Sequence, residues 1–119
     1  MMGHYRMILI LALAVFLPGG AAAENKRGHE LYHAYCSQCH GVNGDGFGVN
    51  AGYMDVLPKD HTETKEMKSR SDDDLFKAIK SGGAAVNKSV LMPAWGNNIA
   101  DEDIRALVVY LRELSKPVE

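Results

Sequence analysis

Tyr35-Cys36-Ser37-Gln38-Cys39-His40-Gly41 is the stretch on which the reading of this chain turns. It holds the only two cysteines of the 119 residues, two positions apart, with a histidine directly after the second. Two thiols at this spacing can close a disulfide, share a metal or be alkylated. A thioredoxin-like redox pair wants a βαβ setting, which the surrounding sequence lacks. A structural zinc site needs four ligands, and beyond Cys36, Cys39 and His40 only scattered histidines remain. Covalent haem attachment accounts for all three residues. A two-residue gap lets a tight turn bring both thiols to the vinyl groups on one edge of the macrocycle. The residue after the second cysteine then projects back to the iron. The disulfide, the redox pair and the zinc site stay as alternatives on the motif alone.

Outward from the motif, Gly28, Leu31, Tyr32 and Tyr35 fall at i, i+3, i+4 and i+7. That spacing predicts a helix over 25–35. Gly41 to Gly48 is a turn-rich loop. The mixed, polar residues from Val49 to Arg70, with Pro58 among them, predict a loop with one helical turn. Ser71 followed by Asp72-Asp73-Asp74 marks a helix start, with a serine cap, an acid three residues on, and negative charge at the positive end of the dipole. Leu75, Phe76 and Ile79 form its buried stripe, and Gly82-Gly83 stop it. A second loop, Ala84 to Asn98, carries Met92, Pro93 and Trp95. The last helix is expected from near Asp101 to near Ser115, with Ile104, Leu107, Val108 and Leu111 as its apolar face and Tyr110 beside them. No segment alternates like a strand over more than four residues. The fold class is all-α, with three to five short helices joined by long loops. Loops of that length need something central to pack on. With so few large apolar residues, the chain is expected not to fold stably without haem. An apolar cleft between Cys36, Cys39, His40 and Met92 would be its imprint.

The N-terminus reads as a secretory leader. His4 and Arg6 precede an unbroken apolar run of eleven residues, Met7 to Leu17. That suits the h-region of a signal peptide and is too short to span a bilayer. Pro18, Gly19 and Gly20 break the run, and Ala21-Ala22-Ala23 supply the small residues of a cleavage site. Residues 1–23 are the expected leader, with a retained anchor as the alternative. Residues 24–119 are the expected single domain, located in the periplasm. No cysteine closely follows the run, which argues against a lipid anchor. Removing the leader leaves 119 − 23 = 96 residues and takes only Arg6 from the charged set, so the net charge is 12 − 15 = −3. A mildly acidic domain is a poor match for nucleic acid or anionic membranes and a better one for a partner with a basic docking face.

An iron held by His40 needs a second axial ligand. The mature chain offers Met54, Met67 and Met92, and His29, His33 and His61. Met92 lies far downstream in a loop and is stiffened by Pro93. A soft thioether there suits low-spin iron and raises its reduction potential. Met54 and Met67 read as packing or surface. His29 and His33 read as an exposed helix face, and His61 as a solvent-exposed or hydrogen-bonding loop residue.

Gly28-x-x-Leu31-Tyr32-x-x-Tyr35-Cys36-x-x-Cys39-His40-Gly41, then Asp60-His61-Thr62, Leu75-Phe76-x-x-Ile79-x-x-Gly82-Gly83, Leu91-Met92-Pro93-Ala94-Trp95-Gly96 and Leu107-Val108-Val109-Tyr110-Leu111 together resemble a class I cytochrome c. Among these they resemble the haem domains of cbb3-oxidase-type subunits and small periplasmic monohaem carriers. The resemblance runs over about residues 26–115. It implies terminal helices that cross through Gly28, Tyr32, Leu107 and Tyr110. It also implies one covalent haem c with its iron between His40 and Met92. A proline carbonyl, here that of Pro58, would accept from the proximal histidine, and Trp95 would lie near the haem. Ala100 stands where the family pattern has a capping Ser or Thr, so Asp101 is expected to cap. The implied function is single-electron transfer between redox partner proteins, by a non-enzymatic free carrier or by the haem subunit of a dehydrogenase or oxidase. A haem sensor would need an open sixth position, against which Met92 argues.

Overall fold

The computed structural model describes residues 19–118. It contains α1 (Gly20–Tyr35), α2 (Ser37–His40), α3 (Thr64–Lys68), α4 (Asp72–Ser81) and α5 (Asp101–Leu114), with 3₁₀ turns at Ala51–Tyr53 and Gly83–Val86. No strand occurs among the described residues, and the fold is all-α as expected. The apolar run of the expected leader lies outside the described residues. Ala21–Ala23 form exposed turns of α1, which starts five residues before the expected position. Nothing between Gly20 and Asn25 opposes a helix, and alanine is the strongest helix former.

The terminal helices pack directly on each other. A Cβ at Gly28 would lie 2.1 Å from the Ala106 carbonyl oxygen and 2.7 Å from the Tyr110 Cβ. Only glycine lets the two backbones approach this closely. Tyr32 packs against Tyr110 with ring centroids 5.3 Å apart, and its hydroxyl donates to the Gly41 carbonyl at 2.8 Å. Arg27 grips the Asp103 carboxylate with two bonds of 2.9 and 2.7 Å. Both groups face solvent, so this pair sets the orientation of the helices more than their stability.

α4 begins with the capping box read from sequence. Ser71 Oγ accepts from the Asp74 amide and the Asp74 carboxylate accepts from the Ser71 amide. Asp72 pairs with Arg112, whose other nitrogens donate to the Met67 and Arg70 carbonyls at 2.6 Å. One α5 side chain thus holds the connection between α3 and α4. α5 has no side-chain cap: Ala100 occupies the cap position, and Asp101 is already helical and pairs with Lys80 at 2.8 Å. The expectation that Asp101 caps is therefore corrected, because that carboxylate is committed to α4.

The core comprises Leu31, Tyr32, Met67, Leu75, Ile79, Ile99, Ile104, Leu107, Val108, Tyr110 and Leu111. Met67 is fully buried. Phe76, expected in the buried stripe, is half-buried, with Lys80 and Arg105 over its ring.

Gly28→Ala inserts a methyl group into a backbone contact that cannot retreat. It should cost about 3 kcal/mol, the upper end of overpacking effects, and lower the melting temperature by roughly 10–20 °C for a domain of this size. Thermal unfolding of the haem-loaded protein measures it, and a loss below about 1 kcal/mol would mean that the helices slide apart freely.

Candidate functional site

α1 delivers the cysteines. Cys36 ends α1, with its amide bonded to the Tyr32 carbonyl at 2.8 Å, and the short α2 follows at once. A helix of four residues leaves its last carbonyls without partners inside the helix. The glycine-rich loop supplies them. The Gly46 amide donates to His40 O at 2.8 Å, Gly48 to Cys39 O at 3.0 Å and Asn50 to Gln38 O at 2.9 Å. The loop thereby fixes the path of the whole Cys36–His40 segment. Both thiols are free and half-buried. Burial, with the Cys39 thiol beside it, pushes the Cys36 thiol up to about 12.

His40 is buried, and its Nδ1 lies 3.0 Å from the Lys59 carbonyl. A carbonyl only accepts, so Nδ1 carries the proton and Nε2 keeps its lone pair. The acceptor is Lys59 and not Pro58, one residue later than expected. The Pro58 carbonyl instead sits over Gly46, where a Cβ would meet it at 2.7 Å. Burial holds the His40 imidazole below its ordinary value, outweighing the opposite pull of the Lys59 carbonyl. A neutral imidazole is the form that ligates a metal.

His61, expected as a solvent-exposed or hydrogen-bonding loop residue, is buried. Its ring stacks on that of His40 at 4.4 Å with 21° between planes. Burial, followed by the neighbouring His40 and Lys59, keeps it well below its ordinary value. Its amide donates to the Gly44 carbonyl. Sequence reading missed it because a histidine in a polar loop has no period to mark it as internal.

These residues line one wall of a cleft of about 650 Å³, within the range of cofactor sites. Cys36, Cys39, His40, Pro58, Met92 and Trp95 all face it, along with Leu75, Ile79, Leu107 and Leu111. Trp95 is half-buried with its ring 5.3 Å from that of Tyr35. Two methionines reach the cleft, Met92 and Met54, while Met67 does not. The Met92 segment is sewn onto the end of α4: Gly83 donates to Met92 O at 3.0 Å, Trp95 to Ile79 O at 2.9 Å and Gly96 to Lys80 O at 3.0 Å. Gly83 makes this possible, since a Cβ there would meet Ser89 O at 2.0 Å and Met92 Cβ at 3.1 Å. On the rim, Glu66 pairs with both Lys59 and Arg70, which hold its carboxyl below the usual range. His29 is exposed and His33 half-buried, on α1 outside the cleft.

The family model of cytochrome c oxidase, cbb3-type, subunit III matches residues 23–111. The chain belongs to that family. It is 30% identical over 105 residues to the cbb3-type cytochrome c oxidase subunit FixP of Azorhizobium caulinodans, covering 88% of this chain and 32% of that protein. The chain thus spans about a third of the length of this curated relative. Among solved structures, the c-type cytochrome KustC0563 is similar in fold, with a TM-score of 0.61 and 24% identity over 75% of this chain and 98% of the other. The reducing HAO-like protein complex Kustc0457/Kustc0458 of Kuenenia stuttgartiensis is also similar, with a TM-score of 0.56 and 24% identity over 76% of this chain and 41% of the other.

A cytochrome domain of this family carries covalently bound haem c and its iron and transfers electrons. The cleft fits that group. Two free thiols two residues apart stand beside a histidine whose tautomer leaves Nε2 available. Aliphatic side chains from α4 and α5 supply walls for an apolar macrocycle, and thioethers lie in the same lining.

Acid–acetone extraction of the wild-type protein should leave its colour with the polypeptide. A Cys36→Ala/Cys39→Ala variant that still binds haem should lose it to the solvent. Free extraction from the wild type would refute covalent attachment through this motif.

Proposed function

We propose that this cytochrome domain is a single-electron carrier anchored to haem c by Cys36 and Cys39, with His40 as proximal and Met92 as distal iron ligand. The observation that carries the reading is the Lys59 carbonyl on His40 Nδ1, which orients the ring and raises its basicity as a ligand. Haem supplies the one-electron couple. The chain's task is to hold geometry constant and keep water out. The Gly41–Asn50 loop locks the proximal segment and the bonds from Gly83, Trp95 and Gly96 lock the distal one. With both segments held by backbone bonds, little needs to reorganise when the charge at the iron changes. Met92 is favoured over Met54 because its segment is tied to α4 and its side chain packs on the core. Met54 follows a single 3₁₀ turn, Ala51–Tyr53.

The acidic run supports a role without acid–base chemistry of its own. Asp74 closes the α4 capping box and Asp72 pairs with Arg112. The domain is read as residues 24–119, exported to the periplasm behind a leader of residues 1–23. Among the described residues no helix is long and apolar enough to cross a membrane. Its partners are redox proteins, with a basic face on the one it meets by diffusion.

A second reading, a fixed haem subunit of a larger oxidase or dehydrogenase, is favoured by a specific feature. The segment from Val42 to Leu57 carries only Asp45 and Asp55 as charges. Yet Val42, Phe47, Val49 and Tyr53 are exposed on it, outside the lining of the cleft. The resemblance to an oxidase subunit points the same way.

Met92→Ala should abolish the weak red-region sulfur-to-iron band of the oxidised protein and lower the reduction potential by on the order of 0.1–0.2 V, a modest part of the range that axial ligation spans. If Met54→Ala does this and Met92→Ala does not, the distal ligand is Met54. The two modes of partnership separate by ionic strength. A diffusing acidic carrier should lose electron-transfer rate as salt rises past about 0.1 M, where the screening length is near 10 Å. A rate indifferent to salt, with co-elution of a larger enzyme from the native source, marks the fixed subunit.

A further inference from the structure

We propose that His61 sets the plane of the His40 imidazole, acting as a flat plate against that ring and not as a hydrogen-bonding group; this rests on the reading of His40 as the proximal iron ligand. One hydrogen bond does not fix a ring. The bond from Nδ1 to the Lys59 carbonyl directs one edge of His40, but hydrogen-bond directions at a carbonyl oxygen are broadly distributed. Within that spread the ring can still turn about its Cβ–Cγ bond. A second ring lying 4.4 Å away and nearly parallel blocks that turn.

His61 is itself held on both sides. Its amide donates to the Gly44 carbonyl at 2.6 Å. The Asp60 carboxylate accepts from the Thr62 amide at 2.8 Å and from the Thr62 hydroxyl at 2.6 Å, closing the turn across His61. Tyr32 approaches the His61 ring edge-on at 6.1 Å, and its own hydroxyl is fixed on the Gly41 carbonyl. The stack therefore runs from α1 through Tyr32 and His61 to His40. His61 Nδ1 is buried and has no hydrogen-bond partner among the described residues. Burying an unpaired polar nitrogen is costly, so a bond from that atom does not explain the residue's place. What the ring offers is its face.

The plane of an axial imidazole orients the unpaired spin of oxidised low-spin haem, and the paramagnetically shifted haem-methyl proton resonances read that orientation. In the oxidised haem-loaded protein, His61→Phe keeps a flat ring, His61→Leu keeps bulk without a plate, and His61→Ala removes both. The phenylalanine variant should retain the wild-type order and spread of the methyl resonances. The leucine and alanine variants should reorder them or narrow their spread. The leucine variant decides the matter if the alanine variant does not fold. An unchanged pattern in His61→Leu, or a change in His61→Phe as large as that in His61→Leu, overturns the proposal. Failure of the underlying reading looks different. A wild-type spectrum without a histidine-ligated low-spin signature removes His40 from the iron, and the proposal falls with it. A wild-type spectrum that has it, with no effect of His61→Leu, removes the plate alone.

Discussion

With no side chain at Gly28, the α1 backbone rests against the Ala106 carbonyl of α5, and both the core and the cleft are arranged around that contact. α1 runs on from Gly28 to Cys36, so its seat on α5 decides where the thiols stand. α5 turns Ile104, Val108 and Tyr110 toward the core while Leu107 and Leu111 also reach the cleft. A helix displaced by one methyl group would move the attachment segment relative to the wall it faces. Tyr32 transmits the same constraint, packing on Tyr110 and reaching Gly41 with its hydroxyl.

The loops are ordered by backbone bonds more than by apolar packing. Unpaired carbonyls at the end of α2 draw the glycine-rich loop back onto the Cys36–His40 segment. Backbone groups at the end of α4 do the same for the Met92 segment. Each loop is thus sewn to the short helix that it follows, and each ends at the cleft. This explains how a domain with long irregular stretches holds two candidate iron ligands in place. It also leaves a cleft lined by the half-buried Cys36 thiol and the buried His40 imidazole, and desolvation disfavours the charged form of each.

The surface divides between charge and apolar exposure. Exposed acids and bases pair across the helices, as in Arg27 with Asp103 and Lys80 with Asp101. The stretch from Val42 to Leu57 is different: Phe47 is 71% exposed and Tyr53 92%. Scattered exposed side chains need no explanation, but several on one weakly charged segment are what a partner surface would cover.

The sequence alone determined the features set by local chemistry. The Cys36–His40 spacing marked the reactive segment, Ser71 and Asp74 marked the start of α4, and the i, i+3, i+4 stripe marked α5, whereas the close approach at Gly28 came from the family resemblance. The first three depend on residues within a turn or two of one another. What only the tertiary structure decided lies where chain path matters more than residue type. The carbonyl facing His40 belongs to Lys59 and not Pro58, because every residue of a loop offers a carbonyl and only the course of the backbone selects one. Gly82-Gly83 read as a helix stop, but Gly83 also makes room for Met92, a contact between residues that the sequence does not pair. Met67 and His61 lie in polar stretches that carry no periodic signal, and both are buried. Their burial comes from elements distant in sequence: the Arg112 guanidinium of α5 closes over the end of α3, and the Gly44 carbonyl and Tyr32 ring take up His61.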